Sequence, residues 1–136
     1  MTGARRKARA IALQALYEVD SAEHDAASVL ARLQSEGRLS EENQAFVSEL
    51  VNGVIQNKEK IDQSIQSFAP AWPVGQIAVV DRNILRLAIF EILVDNRVSI
   101  KVAINEAVEL AKRFGSDNSP RFVNGVLGSV AVLASQ

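Results

Sequence analysis

The chain contains 136 residues, of which 48% are hydrophobic and 23% are charged. One ordinary globular domain has this size and balance, and such a chain buries enough surface to fold without disulfide or metal cross-links. The absence of cysteine excludes disulfides, thiol nucleophiles and thiolate metal sites, and the single histidine, His24, excludes sites built from several histidines. Composition therefore disfavours most classes of enzyme before any motif is considered.

The net charge of −1 conceals an uneven distribution of charge along the chain. Residues 1–17 carry four bases and no acid, residues 18–66 carry ten acids and four bases, and residues 67–136 carry six acids and seven bases. Positive charge is therefore concentrated at the N-terminal end. No apolar stretch reaches the roughly 18 residues that a membrane span needs, so we expect a soluble, cytoplasmic protein without a membrane partner.

Apolar residues at helical spacing over residues 8–19 predict a first helix of about 17 residues. Arg5, Arg6 and Arg9 occupy its first turns. Cations at this end oppose the helix dipole, at a cost of up to about 1 kcal/mol, so their presence requires a separate reason.

Three further helices are predicted in the first half of the chain. A weaker apolar pattern over residues 26–33 ends near Gly37, and Ser40 has the residue type and position of an N-cap for a helix that ends near Asn57. A fourth stripe follows and stops at Pro70–Pro73, because proline cannot continue a helix. This break is the best candidate for a boundary between an N-terminal subdomain of about residues 1–69 and a C-terminal one of about residues 74–136.

The second half of the chain begins with residues 77–94, whose apolar side chains fall on more than one face and predict the buried axis of the fold. The next helix is predicted over Lys101–Phe114 and ends at Gly115, a typical C′ residue. Ser119 and Pro120 have the types expected for an N-cap and the first position of a last helix. The count is about seven helices, so we predict an all-α fold.

Several residues have both a structural and a functional interpretation. The cluster Arg5–Arg9 is either a solvated helix end or a phosphate-binding patch, since guanidinium groups bind phosphate oxygens through paired hydrogen bonds. Phe114 and Phe122 lie beside cations, and such rings either pack in the core or stack on unpaired RNA bases. Glu106 and Glu109 are interpreted as a solvated helix face, because no histidine or cysteine completes a metal site.

Four blocks, at residues 4–17, 80–88, 101–112 and 122–127, resemble the NusB family of bacterial transcription antitermination factors. They occur in the family's order and span nearly the whole chain. The resemblance implies an all-helical fold of two small bundles without catalysis or cofactor. It also implies binding of single-stranded boxA RNA, typically from ribosomal RNA operon leaders, as a heterodimer with the ribosomal small-subunit protein NusE within an RNA polymerase antitermination complex.

The resemblance also assigns roles to individual residues. By motif position the RNA contacts would be Arg5, Arg6, Lys7, Arg9, Gln14, Lys101, Phe114, Arg121 and Phe122. By the same reasoning the contacts with NusE would be Tyr17, Asp81 and Asn118. Phosphate binding then supplies the reason for cations at the positive end of the first helix.

Two alternatives and one open question accompany this interpretation. Some ribosomal RNA cytosine methyltransferases carry a similar accessory RNA-binding domain, but we expect a free-standing factor because the chain ends at Gln136, after the last predicted helix. A helical protein interaction module that never contacts RNA is the other alternative. Self-association into a homodimer is left open, since no residue decides it.

Overall fold

The structure is a computed structural model and describes residues 3–134. Its helices are α1 (Gly3–Ala22), α2 (Ala26–Gly37), α3 (Glu41–Gln56), α4 (Lys58–Phe68), α5 (Val79–Ile89), α6 (Ile100–Phe114) and α7 (Ser119–Ala134). A 3₁₀ turn (Val74–Gln76) precedes α5, and a π-helical turn (Phe90–Asp95) follows it. These residues include no β-strand, which confirms the all-α prediction. None of these helices is both long and apolar enough to cross a bilayer.

Local capping chemistry sets two boundaries in the first half as predicted. The Ser40 hydroxyl accepts a hydrogen bond from the Asn43 amide at 3.2 Å, which satisfies one of the unpaired donors at the start of α3. Asn57 separates α3 from α4, and its side-chain amide donates to the Gly53 carbonyl at 2.8 Å. Both boundaries are confirmed. They could be predicted because each depends only on residues three or four positions away.

The junction between α6 and α7 differs in detail from the prediction. Gly115 follows α6, but its φ of −90° and ψ of −169° are extended and not left-handed. Glycine is required there because a Cβ atom would lie 2.4 Å from the Ser119 hydroxyl oxygen. That hydroxyl accepts from the Ser116 amide at 2.8 Å, and α7 begins at Ser119 itself, one residue before Pro120. The prediction of Ser119 as the N-cap is therefore wrong, whereas the end of the preceding helix at Gly115 is as predicted.

Helix α5 is the buried axis of the fold, as its two apolar faces predict. Every residue from 83 to 92 is buried, and α5 packs against α1, α4, α6 and α7. The predicted helix over residues 77–94 is shorter in the structure, because its last turn widens into the π-helical segment. Asn96, in the left-handed region with φ 56°, ends that segment and donates its amide to the Glu91 carbonyl at 3.0 Å.

The buried apolar side chains on both sides of Pro70–Pro73 belong to one hydrophobic cluster. Helix α1 packs against α2 and α3 as well as against α5, so it contributes to both halves of the chain. The division into two subdomains stays a prediction.

A polar network joins the C-terminal half of α1 to α4 and α5. Asp20 accepts hydrogen bonds from Arg82 Nε at 2.7 Å, Asn83 Nδ2 at 2.9 Å and Arg86 Nη1 at 2.9 Å. Arg86 also donates to Asp62 at 2.8 Å. Burial alone would raise the pKa of Asp20, but hydrogen bonds from Arg82 and Asn83 and the charges of both arginines lower this pKa from 3.8 to about 2.

Candidate nucleic-acid and protein interface

The first turns of α1 place three predicted RNA contacts at the surface. Arg6 and Lys7 are exposed, and Arg5 is half-buried with its guanidinium carbon 4.0 Å from the centroid of the Phe46 ring. Arg5 Nη2 also lies 3.4 Å from Glu42 Oε1. The first turn of α1 has no acidic residue, so its cations and the positive end of the helix dipole together favour an anion here.

Arg6 is held in place by a carboxylate from α6. Its Nε donates to Glu106 Oε1 at 3.2 Å and its Nη2 donates to Glu106 Oε2 at 2.7 Å, and this contact raises the pKa of Arg6. The Arg6 side chain is 54% exposed, whereas that of Glu106 is 6% exposed. The interpretation of Glu106 as part of a solvated face is therefore wrong, although Glu109 is exposed as expected.

Arg9 does not lie on the surface with the other N-terminal cations. It is 2% exposed, and its guanidinium donates from Nε to Glu91 Oε2 at 3.0 Å and from Nη2 to Glu91 Oε1 at 2.7 Å. Glu91, in the π-helical turn, is 3% exposed. The prediction that Arg9 is an RNA contact is corrected here, because a buried guanidinium already paired with a carboxylate serves the core.

A charged groove of about 290 Å³ runs between the first turns of α1 and the last turns of α6. We name it the α1–α6 groove, and its lining residues are Arg6, Arg9, Glu106, Glu109, Leu110, Lys112 and Arg113. Lys112 and Arg113 are the two residues before Phe114, and the sequence identifies them only as cations beside that ring, without predicting either as an RNA contact.

An apolar groove of about 270 Å³ brings together three of the predicted site residues. We name it the Tyr17 groove, and its lining residues are Leu13, Gln14, Tyr17, Val80 and Phe114. Tyr17 is 42% exposed and Phe114 is 43% exposed, so neither ring is an ordinary core residue. Gln14 and Phe114, predicted to contact RNA, thus lie beside Tyr17, predicted to contact a protein.

A second apolar groove, of about 250 Å³, collects three more predicted residues. We name it the Asp81 groove, and its lining residues are Trp72, Gln76, Ile77, Ala78, Asp81, Asn118 and Phe122. Asp81 Oδ1 is buried and accepts no hydrogen bond from residues 3–134. Phe122 is half-buried against the core. Trp72 is 54% exposed and was missed, although a tryptophan between two prolines outside any helix is itself a signal.

Lys101 and Arg121 are exposed in the first turns of α6 and α7. Neither lines one of the three named grooves, and their roles stay predictions. Over the described range 3–134, no three histidine, cysteine, aspartate or glutamate side chains are placed to hold a metal ion.

The NusB family model matches residues 6–132 of this sequence. The chain belongs to the NusB family. A protein of Dehalococcoides mccartyi called "Transcription antitermination protein NusB" is 58% identical over 131 residues, covering 96% of this chain and 92% of that protein. A protein of the same name from Herpetosiphon aurantiacus is 51% identical, covering 93% and 88% of the two chains.

Solved structures show the same fold. The NusB structure from T. maritima superimposes with a TM-score of 0.86 at 33% identity, covering 96% of this chain and 92% of that one. A structure of the antitermination factors NusB and NusE in complex with double-stranded RNA superimposes with a TM-score of 0.88 at 22% identity, covering 98% and 99%. At that identity the likeness concerns the fold alone.

In this NusB-family chain, residues predicted to contact RNA and residues predicted to contact a protein line the same grooves. The Tyr17 groove combines a predicted protein contact with two predicted RNA contacts, and the Asp81 groove combines Asp81 and Asn118 with Phe122. Sequence spacing did not reveal this pairing, because Phe114 meets Tyr17 only through the packing of α1 and α6 on α5.

Proposed function

We propose that this chain is a transcription antitermination factor that binds single-stranded boxA RNA from ribosomal RNA operon leaders. In this proposal it acts as a heterodimer with NusE within the RNA polymerase antitermination complex. The supporting observation is the basic start of α1, a helix that further along lines a groove with an exposed aromatic ring, in a chain 58% identical to an antitermination protein. The proposal assigns binding and no catalysis to the chain.

The RNA part of the proposal uses the exposed cations for phosphates and the Tyr17 groove for bases. Arg5, Arg6 and Lys7 would contact the backbone, where release of counterions favours association. Gln14 can donate or accept a hydrogen bond to a base edge, and the exposed Phe114 ring offers a stacking surface of about 1 to 3 kcal/mol per base. This gain exceeds the cost of placing cations at the positive end of α1.

The protein part uses Tyr17, Asp81 and Asn118 as contacts with NusE. Support comes from the two apolar grooves that contain them and from Asp81 Oδ1, which has no hydrogen-bond partner within residues 3–134 and which a donor of the partner would satisfy. A NusB protein of the same fold has been solved with NusE and RNA. Because predicted RNA and protein contacts adjoin in both grooves, the partner and the RNA would be bound side by side.

Fluorescence anisotropy with a labelled boxA RNA tests the proposal. The full-length chain is titrated alone and with NusE, against boxA and scrambled RNA, at two or more salt concentrations. We expect a preference for boxA that increases with NusE, and an affinity that falls with salt at a slope of roughly −0.7 per phosphate contact. Equal binding of scrambled RNA in both conditions would contradict the proposal and favour an adaptor that binds proteins only.

Lys7→Gln is the variant that tests the phosphate contacts most directly, because Lys7 is exposed and makes no ion pair within residues 3–134. Its loss should make the salt slope shallower by about 0.7 without lowering thermal stability. Lys58→Gln, an exposed cation at the start of α4, is the matched control and should leave the slope unchanged.

A further inference from the structure

The α1–α6 groove has the form of a binding site between two helices that are both supported by a third. Helices α1 and α6 each pack against α5, and the groove lies where the N-terminal turns of α1 face the C-terminal turns of α6. Its volume of about 290 Å³ is at the lower end of the range for ligand pockets, roughly 300 to 1,000 Å³. It therefore suits one phosphate and sugar unit better than a segment of folded protein.

The charge of this groove favours an anion. Arg9 is already neutralised by Glu91, which leaves three cationic side chains, Arg6, Lys112 and Arg113, against the two carboxylates of Glu106 and Glu109, so the balance of charge is still positive. The Lys112 side chain is 59% exposed, with only a 3.3 Å contact to the exposed Glu109. Arg113 makes no ion pair within residues 3–134 and lies 4.8 Å over the centroid of the Phe114 ring.

The remaining cation of the groove is already oriented. Glu106 accepts from Nε and Nη2 of Arg6, so Nη1 keeps its two hydrogens, and neither has an acceptor among the described residues. A guanidinium fixed in this way loses less conformational entropy when it binds phosphate. Glu106 thus acts as a positioning residue for Arg6.

The groove continues toward the Tyr17 groove. Arg6 and Gln14 are eight residues apart on α1, about 12 Å along the helix, and Arg113 is followed directly by Phe114. A strand whose phosphate lies in the charged groove would therefore have its neighbouring base within reach of Phe114.

We infer that the α1–α6 groove binds a backbone phosphate of single-stranded RNA through Arg6, Lys112 and Arg113, with the adjoining base on Phe114. The inference rests on the proposed RNA-binding function and adds Lys112 and Arg113, beside Phe114 in the last turn of α6, to the proposed RNA surface. The competing explanation is that Lys112 and Arg113 only offset the negative end of the α6 dipole.

The test measures the salt dependence of boxA RNA binding by the full-length chain. Lys112→Gln combined with Arg113→Gln should make the slope of log affinity against log salt shallower by about 0.7 to 1.4, one or two phosphate contacts. The control pair, Lys58→Gln with Lys60→Gln, removes the same charge from α4 outside the groove and should leave the slope unchanged. Thermal unfolding of both variants checks that they are folded at the assay temperature.

A second variant is expected to increase binding, which misfolding could not imitate. Glu109→Gln removes a carboxylate from the rim of the groove and should tighten RNA binding about threefold, the effect of one unit charge at about 6 Å in water. Unchanged or weaker binding would contradict the inference.

The outcomes separate this inference from the proposed function. Salt-sensitive boxA binding by the unaltered chain, with the same slope in the Lys112 and Arg113 variant, would overturn the groove site and leave the proposed function intact. No salt-sensitive RNA binding by the unaltered chain would overturn both.

Discussion

Removing either member of the buried pair Arg9 and Glu91 while the other remains should be strongly destabilising, and neither side chain should be needed for RNA binding. Both side chains are at most 3% exposed and are joined by two hydrogen bonds of 3.0 and 2.7 Å. Arg9→Met or Glu91→Met alone leaves one buried charge without its partner, which should cost about 3 to 5 kcal/mol of unfolding free energy. For a chain of 136 residues, that loss corresponds to a melting temperature lower by roughly 10 to 17 °C.

The double variant separates this explanation from a simple loss of packing. Replacing both members of a buried ion pair with apolar side chains of similar volume is often neutral or stabilising, so Arg9→Met with Glu91→Met should recover most of the lost stability. Urea and thermal unfolding of the four proteins give the coupling energy directly. Single variants that lose less than about 1 kcal/mol, as exposed pairs do, would refute the reasoning.

The same double variant tests the corrected role of Arg9. Folded protein without the Arg9 guanidinium should bind boxA RNA within about twofold of the unaltered chain, since no phosphate contact is lost. If the double variant recovered its stability but bound RNA much more weakly, Arg9 would be an RNA contact after all.

Two further predictions concern Asp81 and Asp20. Asp81→Asn should weaken NusE binding, measured by pull-down or titration, without lowering thermal stability. The control Asp117→Asn, at an exposed position, should leave NusE binding unchanged. Equal NusE affinity of the two variants would contradict the placement of Asp81 in the interface. The pKa of Asp20 is lowered from 3.8 to about 2 in the folded state, so its roughly 2 kcal/mol of stabilisation is complete above pH 4 and is lost as the pH falls toward 2. Asp20→Asn should therefore be less stable at neutral pH and show a flatter loss of stability between pH 4 and 2, and a loss parallel to that of the unaltered chain would contradict the assignment.

The sequence predicted the helices well where they depend on neighbouring residues. Ser40 caps α3 through an amide three residues away, and the spacing of apolar residues in α5 follows directly from its burial on every side. Gly115 shows the limit of such reasoning. Its position after a helix is visible in the sequence, but the contact that requires glycine involves Ser119, whose placement depends on how α7 returns against α6.

The roles of Arg6 and Arg9 could be predicted only in part. Their partners are 100 and 82 residues away in the sequence, and nothing in the basic cluster indicates which cation has a buried acid opposite it. One signal was available for Arg9. It stands three residues before Ala12 and four before Leu13, so it continues the apolar stripe of α1, whereas Lys7 lies off that stripe.

These pairings change how the basic start of α1 would act on RNA. Four cations there would give a salt slope near −2.8 if each neutralised one phosphate of a single strand. The carboxylate of Glu91 already neutralises Arg9, and that of Glu106 partly neutralises Arg6, so fewer counterions remain to be released from this end. The rest of the affinity for RNA must then come from other parts of the surface. In the proposed complex, Lys112, Arg113 and the bound partner NusE would provide it. Because the ion pairs that hold α1 against the π-helical turn and α6 use Arg9 and Arg6, RNA affinity depends on the wider surface.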